Sequence, residues 1–272
     1  MERLKLGLIV GFQPDIFKVF EKVKSLGIPT CQLSLCAEEA IEKLNPAEVK
    51  RCAEEYKVEI SCVFVGFKGQ IFNLKDGPET VGFIPPQHRE RRISLAKEIS
   101  DMVKEMGVDY LASHVGFIPD DEEDPLYKSF LPAMKDFLTH CKKNNQIFCF
   151  ETGQELPSTL KRTIEDLKME NTGINLDPAN LILYGKANPL DAVEIFGKYV
   201  KGMHAKDGIW PDKGEILGKE VPLGEGMVNF PVLLRRLKKL GYKRPVTIER
   251  EIGGEEQIRD IKKAIKFLKP LL

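Results

Sequence analysis

The chain has no uninterrupted apolar stretch of about 18 residues, the length a helix needs to cross a bilayer. Its opening, MERLKLGLIVGF, holds an apolar run too short for the core of a secretion signal, with charges on its flank. No membrane partner and a cytoplasmic location are expected. Net charge is missing as well. The 41 basic and 41 acidic residues cancel, so no global field draws the chain towards nucleic acid or a lipid surface. The six cysteines, Cys31, Cys36, Cys52, Cys62, Cys141 and Cys149, form no Cys-x-x-Cys pair. A disulfide scaffold is not expected for a chain of this size in the cytosol. Cys62 and Cys149 sit inside strand-like apolar runs, where a reduced buried thiol is ordinary. Histidine occurs four times and tryptophan once, so each has few places to act.

What is present is enough for a large core. The 272 residues are 42% apolar, which rules out a disordered chain and fits one α/β barrel or two smaller domains. Eight short strand-like runs, rich in Val, Ile, Leu, Phe and Cys, fall at 4–10, 30–35, 59–66, 110–115, 146–151, 173–177, 200–204 and 245–249. Several lack clean alternation, as expected of strands covered on both faces. Helical patterns separate them, at 15–26, 46–56, 89–106, 126–144, 158–169, 189–196, 230–240 and 256–268. Asn45 before Pro46 reads as a helix cap, and Ser158 as another. Eight βα units predict one (β/α)8 TIM barrel over residues 1–272. A doubly wound open sheet explains the count less well. The longest connections, 67–88, 117–125 and 207–229, all follow strands. They therefore gather on one rim, where loops can cover a pocket.

Four residues end the last four strands: Glu151 in QIFCFETGQE, Asp177 in GINLDPANL, His204 in VKGMHAKDG and Glu249 in PVTIEREIG. In a closed parallel barrel those ends converge at the carboxyl-terminal rim. One imidazole with three carboxylates is a hard donor set suited to one divalent cation, Mn²⁺, Mg²⁺, Co²⁺ or Zn²⁺. Each residue also has a plain reading. Glu151 fits a surface carboxylate, and Asp177 before Pro178 a turn start. His204 fits a buried hydrogen-bonding residue, and Glu249 an ion pair with Arg250. Their shared position after four successive strands favours the common site. Around it, His114 near the end of strand four is placed as a substrate-hydroxyl contact. Glu155 is either a carboxylate supporting the site or the opening of a helix. Lys206 meets an anionic group on the substrate or pairs with Asp207. Trp210 stacks on a sugar or anchors a lid. His88 and His140 fall on helices. The stretch PLGEG at 222–226 is a tight turn near the rim and no dinucleotide fingerprint.

At FETGQE, NLDPANL, HAKDG, PLGEG and TIEREI the chain resembles the xylose-isomerase-like barrel superfamily of sugar isomerases and epimerases. The resemblance covers nearly the whole length. It implies that Glu151, Asp177, His204 and Glu249 hold one divalent cation. It also implies that Glu151 and Glu249 act as opposed acid and base. One removes a proton beside the substrate carbonyl, the cation holds the cis-enediolate, and the other returns a proton on the opposite face. The partner is then a small sugar or sugar derivative, and a homo-oligomer stays open. Two departures from the ketose 3-epimerase pattern bear on substrate binding. Asn180 stands where that group has a histidine, and AKDGIWPDKG offers Lys206, Trp210 and Lys213 where it has an arginine. Within the same fold the alternatives are a metal-dependent lyase or aldolase and an endonuclease-like phosphodiesterase. Four histidines are few for a trinuclear zinc nuclease, and balanced charge argues against a DNA groove. A non-catalytic binding protein is the remaining class.

Overall fold

The computed structural model describes residues 3–214 and 216–272. Strands β1 (Leu6–Gly11), β2 (Thr30–Cys36), β3 (Glu59–Gly66), β4 (Tyr110–Ser113), β5 (Ile147–Glu151), β6 (Thr172–Leu176) and β7 (Val200–Ala205) pair in sequence order. A two-stranded antiparallel hairpin follows, β8 (Asp207–Ile209) with β9 (Lys219–Val221). β10 (Val246–Ile248) then pairs in parallel with β7 on one side and β1 on the other. That closes an eight-stranded parallel barrel, the (β/α)8 architecture expected from the alternation.

The helices are α1 (Ile16–Ser25), α2 (Ala37–Lys43), α3 (Pro46–Tyr56), α4 (Gly77–Thr80), α5 (Pro86–Glu105), α6 (Pro125–Lys143), α7 (Pro157–Leu167), α8 (Pro178–Leu183), α9 (Pro189–Phe196), α10 (Phe230–Lys239) and α11 (Gly254–Leu268). Their starts are written locally. Asn45, Asp124, Asn188 and Asn229 each accept a backbone N–H of the following turn, with proline in the first turn. Ser158 is not a cap: α7 begins at Pro157, and its cap position is Leu156, which has no side-chain oxygen. In α1, Ile16, Val19, Phe20 and Val23 are buried at helical spacing, which turns one stripe onto the sheet. Full burial of each such large side chain contributes about 1.5–3 kcal/mol.

Two expectations change in extent. Strand four stops at Ser113, so His114 begins the loop rather than ending the strand. The 67–88 connection is partly helical, because α4 forms within it and α5 starts at Pro86. Buried Arg89 and Arg92 donate to the carbonyls of Gly82, Phe83 and Ile84, which fixes this loop against α5.

The barrel interior is layered. At the amino-terminal end the Arg244 guanidinium lies over the Tyr110 ring, 3.7 Å from its centroid, and Cys62, Ala112 and Cys149 pack together nearby. All six cysteines are free. Above them come the buried amides Gln32 and Asn175, and above those the carboxyl-terminal rim. No helix among the described residues is long and apolar enough to cross a membrane.

Candidate metal centre

Glu151 is the last residue of β5, His204 lies in β7, and Asp177 and Glu249 directly follow β6 and β10. β5, β6, β7 and β10 are consecutive neighbours in the closed sheet, so their ends bring the four side chains together. His204 Nδ1 stands 3.1 Å from Glu151 Oε1, 3.0 Å from Glu249 Oε2 and 3.5 Å from Asp177 Oδ2. Glu151, Asp177 and His204 each offer a ligand atom within 4.8 Å of the others, and all three are buried. Glu249 joins through His204 and is slightly more exposed.

Both readings of Asp177 hold, one on each oxygen. Oδ1 caps α8 by accepting the Asn180 N–H at 2.8 Å, while Oδ2 faces His204. The ion-pair reading of Glu249 with Arg250 does not hold. Arg250 turns outward to Glu220 at 3.1 Å and Asp260 at 2.9 Å, which leaves Glu249 to the rim.

Glu151 Oε1, Asp177 Oδ2 and His204 Nδ1 have no hydrogen-bond partner, and they are the atoms that face one another. Buried lone pairs without donors are costly. Burial pushes the Glu151 carboxyl above its usual range against the pull of His204. Burial likewise raises Asp177 to about 6 against the pull of Lys206. At Glu249 burial is outweighed by Lys206 and His204, which hold it well below the usual range. At His204 burial is outweighed by Glu151 and Glu249, which raise the imidazole. Three oxygen donors with one nitrogen fit a hard or borderline divalent cation.

Lys206 lies two residues beyond His204 and points to the same side. It pairs with Glu251 Oε1 at 2.7 Å, not with Asp207. Its ammonium also donates to Asn180 Oδ1 at 3.1 Å and stands 3.6 Å from Glu249 and 3.7 Å from Asp177. Burial opposes this charge, but Glu249, Asp177 and Glu251 outweigh it and hold the lysine well above its usual value. Asn180 is thereby engaged, with its amide nitrogen on the Thr152 carbonyl. His114 bonds Gln154 through Nδ1 at 3.2 Å, and burial lowers its imidazole against the pull of Glu151. Glu155 is buried just before α7, and neither of its carboxyl oxygens has a partner. Burial pushes it up to about 8. Trp210 follows β8, half-buried against the main core.

The profile of the xylose isomerase-like TIM barrel matches residues 20–271. The chain belongs to that family. A xylose isomerase domain protein from Planctomyces limnophilus is 32% identical, with a TM-score of 0.93 over 99% of this chain and 98% of that one. A D-psicose 3-epimerase from Clostridium cellulolyticum H10, solved with D-tagatose, shares the fold at 14% identity. Its TM-score is 0.73 over 99% of each chain. An uncharacterized protein of Methanocaldococcus jannaschii is 30% identical over 119 residues, which are 43% of this chain and 36% of that protein.

Several residues of this family member's rim escaped sequence reasoning. Phe64 of β3 lies 5.6 Å from the His114 ring and 5.9 Å from His204, centroid to centroid. Phe72, 44% exposed, stands 5.0 Å from His114, centroid to centroid. Both rings pack near His114. The inward alternation of Cys62 and Phe64 was a usable signal. Gln32 and Asn175 signalled themselves as amides inside apolar strands. Asp207 gave no signal of its role, which is to accept four backbone N–H groups, from Gly208, Gly224, Gly226 and Val228, at 2.9–3.1 Å. That ties the PLGEG turn to the start of β8, just beyond β7. Gly224 has φ +90°, and a Cβ on Gly226 would fall on the Asp207 carboxylate, so both glycines are required there.

Proposed function

We propose that the chain is a divalent-metal-dependent epimerase or isomerase acting on a neutral keto sugar. The observation that carries this reading is the convergence of unpartnered Glu151 Oε1, Asp177 Oδ2 and His204 Nδ1 at a barrel rim, with Glu249 beside them. These four residues would hold the cation, in one catalytic domain spanning residues 1–272. A bound divalent cation supplies Lewis acidity towards the substrate's carbonyl and neighbouring hydroxyl oxygens. Glu151 and Glu249 approach from different strands, β5 and β10. One takes the proton from the carbon beside the carbonyl, and the other returns a proton on the opposite face. Lys206 and His204 keep Glu249 ionised. His114, in its neutral form, and Glu155 contact hydroxyls, while Asn180 holds Lys206 in place. Phe64 and Phe72 offer faces for the sugar's C–H edges, and Trp210 closes the outer wall. The fold shared with a sugar epimerase supports the substrate class.

A neutral sugar is favoured because Lys206, the lysine expected to meet an anion, is already matched by Glu251, Glu249 and Asp177. The test joins metal analysis to isotope exchange. The wild-type protein should carry stoichiometric divalent metal and Asp177→Asn sharply less; equal content in both removes Asp177 from the site. With Mn²⁺, a panel of keto sugars in deuterated water should yield product labelled beside the carbonyl. Glu151→Gln and Glu249→Gln should each cost at least about 10²-fold in turnover once residual metal is matched. Turnover without label points instead to hydride transfer. Faster turnover of phosphorylated sugars rejects the neutral class, and cleavage products identify a lyase.

A further inference from the structure

The rim is set on a buried layer that no proposed proton transfer uses. Gln32 is 2% exposed and Asn175 is 1% exposed. Gln32 comes from β2 and Asn175 from β6. These strands are four steps apart in either direction around the eight-stranded ring, so the amides reach towards each other from opposite walls. Gln32 Nε2 donates to Asn175 Oδ1 at 3.3 Å, and Asn175 Nδ2 donates to Glu151 Oε2 at 2.5 Å. At the other end Gln32 Oε1 lies 2.8 Å from His204 Nε2. β7 makes room for this arrangement: a Cβ on Gly202 would fall on Asn175 Oδ1.

We infer that Gln32 and Asn175 are positioning residues that hold His204 in the tautomer with hydrogen on Nε2, leaving the Nδ1 lone pair for a cation. The direction of the amides carries the argument. With Gln32 Nε2 committed to Asn175, Gln32 Oε1 is the free end and accepts from His204 Nε2–H. Asn175 Nδ2 lies 3.1 Å from the same nitrogen and has a second hydrogen beyond the one on the Glu151 carboxylate, but the Gln32 Oε1 contact is shorter, at 2.8 Å, and an amide oxygen can only accept, which places the hydrogen on Nε2. The polarity therefore runs one way, from His204 through Gln32 and Asn175 to Glu151. It links two residues of the quartet across the barrel. The opposite tautomer would leave buried Gln32 Oε1 without the His204 donor and aim a hydrogen from Nδ1 at the carboxylates. Neutral amides orient the imidazole without adding charge to a site that already holds three carboxylates. Groups in this relation to a metal-bound histidine commonly fix both its tautomer and its orientation.

The inference rests on the metal reading of the quartet, and zinc binding with imidazole NMR separates the two. In the zinc-loaded wild-type protein, long-range ¹⁵N–¹H correlations of His204 should report Nε2–H. Gln32→Met removes the acceptor at similar length and should weaken zinc binding about 10- to 100-fold. Gln32→Glu keeps an oxygen for Nε2–H and should retain both the tautomer and binding well above Gln32→Met. Nδ1–H in the wild type, or unchanged zinc affinity in Gln32→Met, overturns the inference while leaving the metal site standing. A wild-type protein that binds no zinc takes down both. The wild-type spectrum decides the tautomer even if Gln32→Met does not fold.

Discussion

Glu155 is buried without a side-chain partner for either carboxyl oxygen, and an ionised carboxylate there pays a desolvation cost that nearby backbone N–H groups and Lys186 offset only in part. Burial raises its value from 4.5 to about 8. The folded protein therefore keeps a proton that the unfolded chain has released, and folding takes one up between those values. Stability falls as pH rises from about 5 to about 8 and then levels off. Glu155→Gln, which is neutral throughout, should remove the share of this slope that Glu155 contributes: little change at pH 5 and a gain over wild type at pH 8. Urea unfolding of both proteins at the two pH values, with chelator present, checks it; parallel losses would mean that Glu155 finds a partner in solution. The sequence placed Glu155 beside the site but left open whether it supports the site or opens a helix. The structure puts it two residues before α7, and its buried, unpartnered state depends on residues packed around it from elsewhere in the chain. Lys206 shows the same limit. Its neighbour Asp207 was the available partner in sequence, yet Glu251, 45 residues away, takes the charge.

The connection from β7 to α10 works as an element in its own right. β8 and β9 pair over three residues each, Glu220 of β9 accepts the Glu251 N–H and pairs with Arg250, and Asp207 gathers the PLGEG turn. The hairpin therefore braces the exits of β7 and β10, which carry His204 and Glu249. Asp207→Ala strands four backbone donors. At about 1–3 kcal/mol for each group left buried, with water satisfying some, a loss of about 2–4 kcal/mol is expected. Amide exchange over residues 222–228 should accelerate selectively, while the amides of α1 stay protected. Unchanged exchange there would show that the turn holds without Asp207. In sequence this span read as a loop of 207–229, because three-residue strands carry too little alternation to stand out. The long helices were legible, since their buried faces repeat at helical spacing and their asparagine and aspartate caps are local. Ser158 misled because a proline-led first turn at Pro157 left no cap position for it.

At the scale of the whole molecule, the four residues come together only in the closed barrel. A divalent cation should bind the folded chain and not the unfolded one. At 100-fold above its dissociation constant it adds about 2.7 kcal/mol. For a chain of this length that raises the Tm by roughly 5–10 °C, at about 2–4 °C per kcal/mol. Melting with Mn²⁺ and then with excess chelator measures the difference, and identical curves would exclude a site linked to folding. The sequence by itself determined the eightfold alternation, the barrel it closes into, and which strand ends carry Glu151, Asp177, His204 and Glu249. Those features are local: an apolar run, a chemically distinct residue after it, a capped helix. Only the tertiary structure decided the partners of Lys206, the rings near His114, the anchoring by Asp207 and the amides beneath His204. These contacts join distant parts of the chain, as Gln32 meets His204 across 172 residues. Their geometry depends on the radius and register of a closed sheet, which no local run of residues encodes.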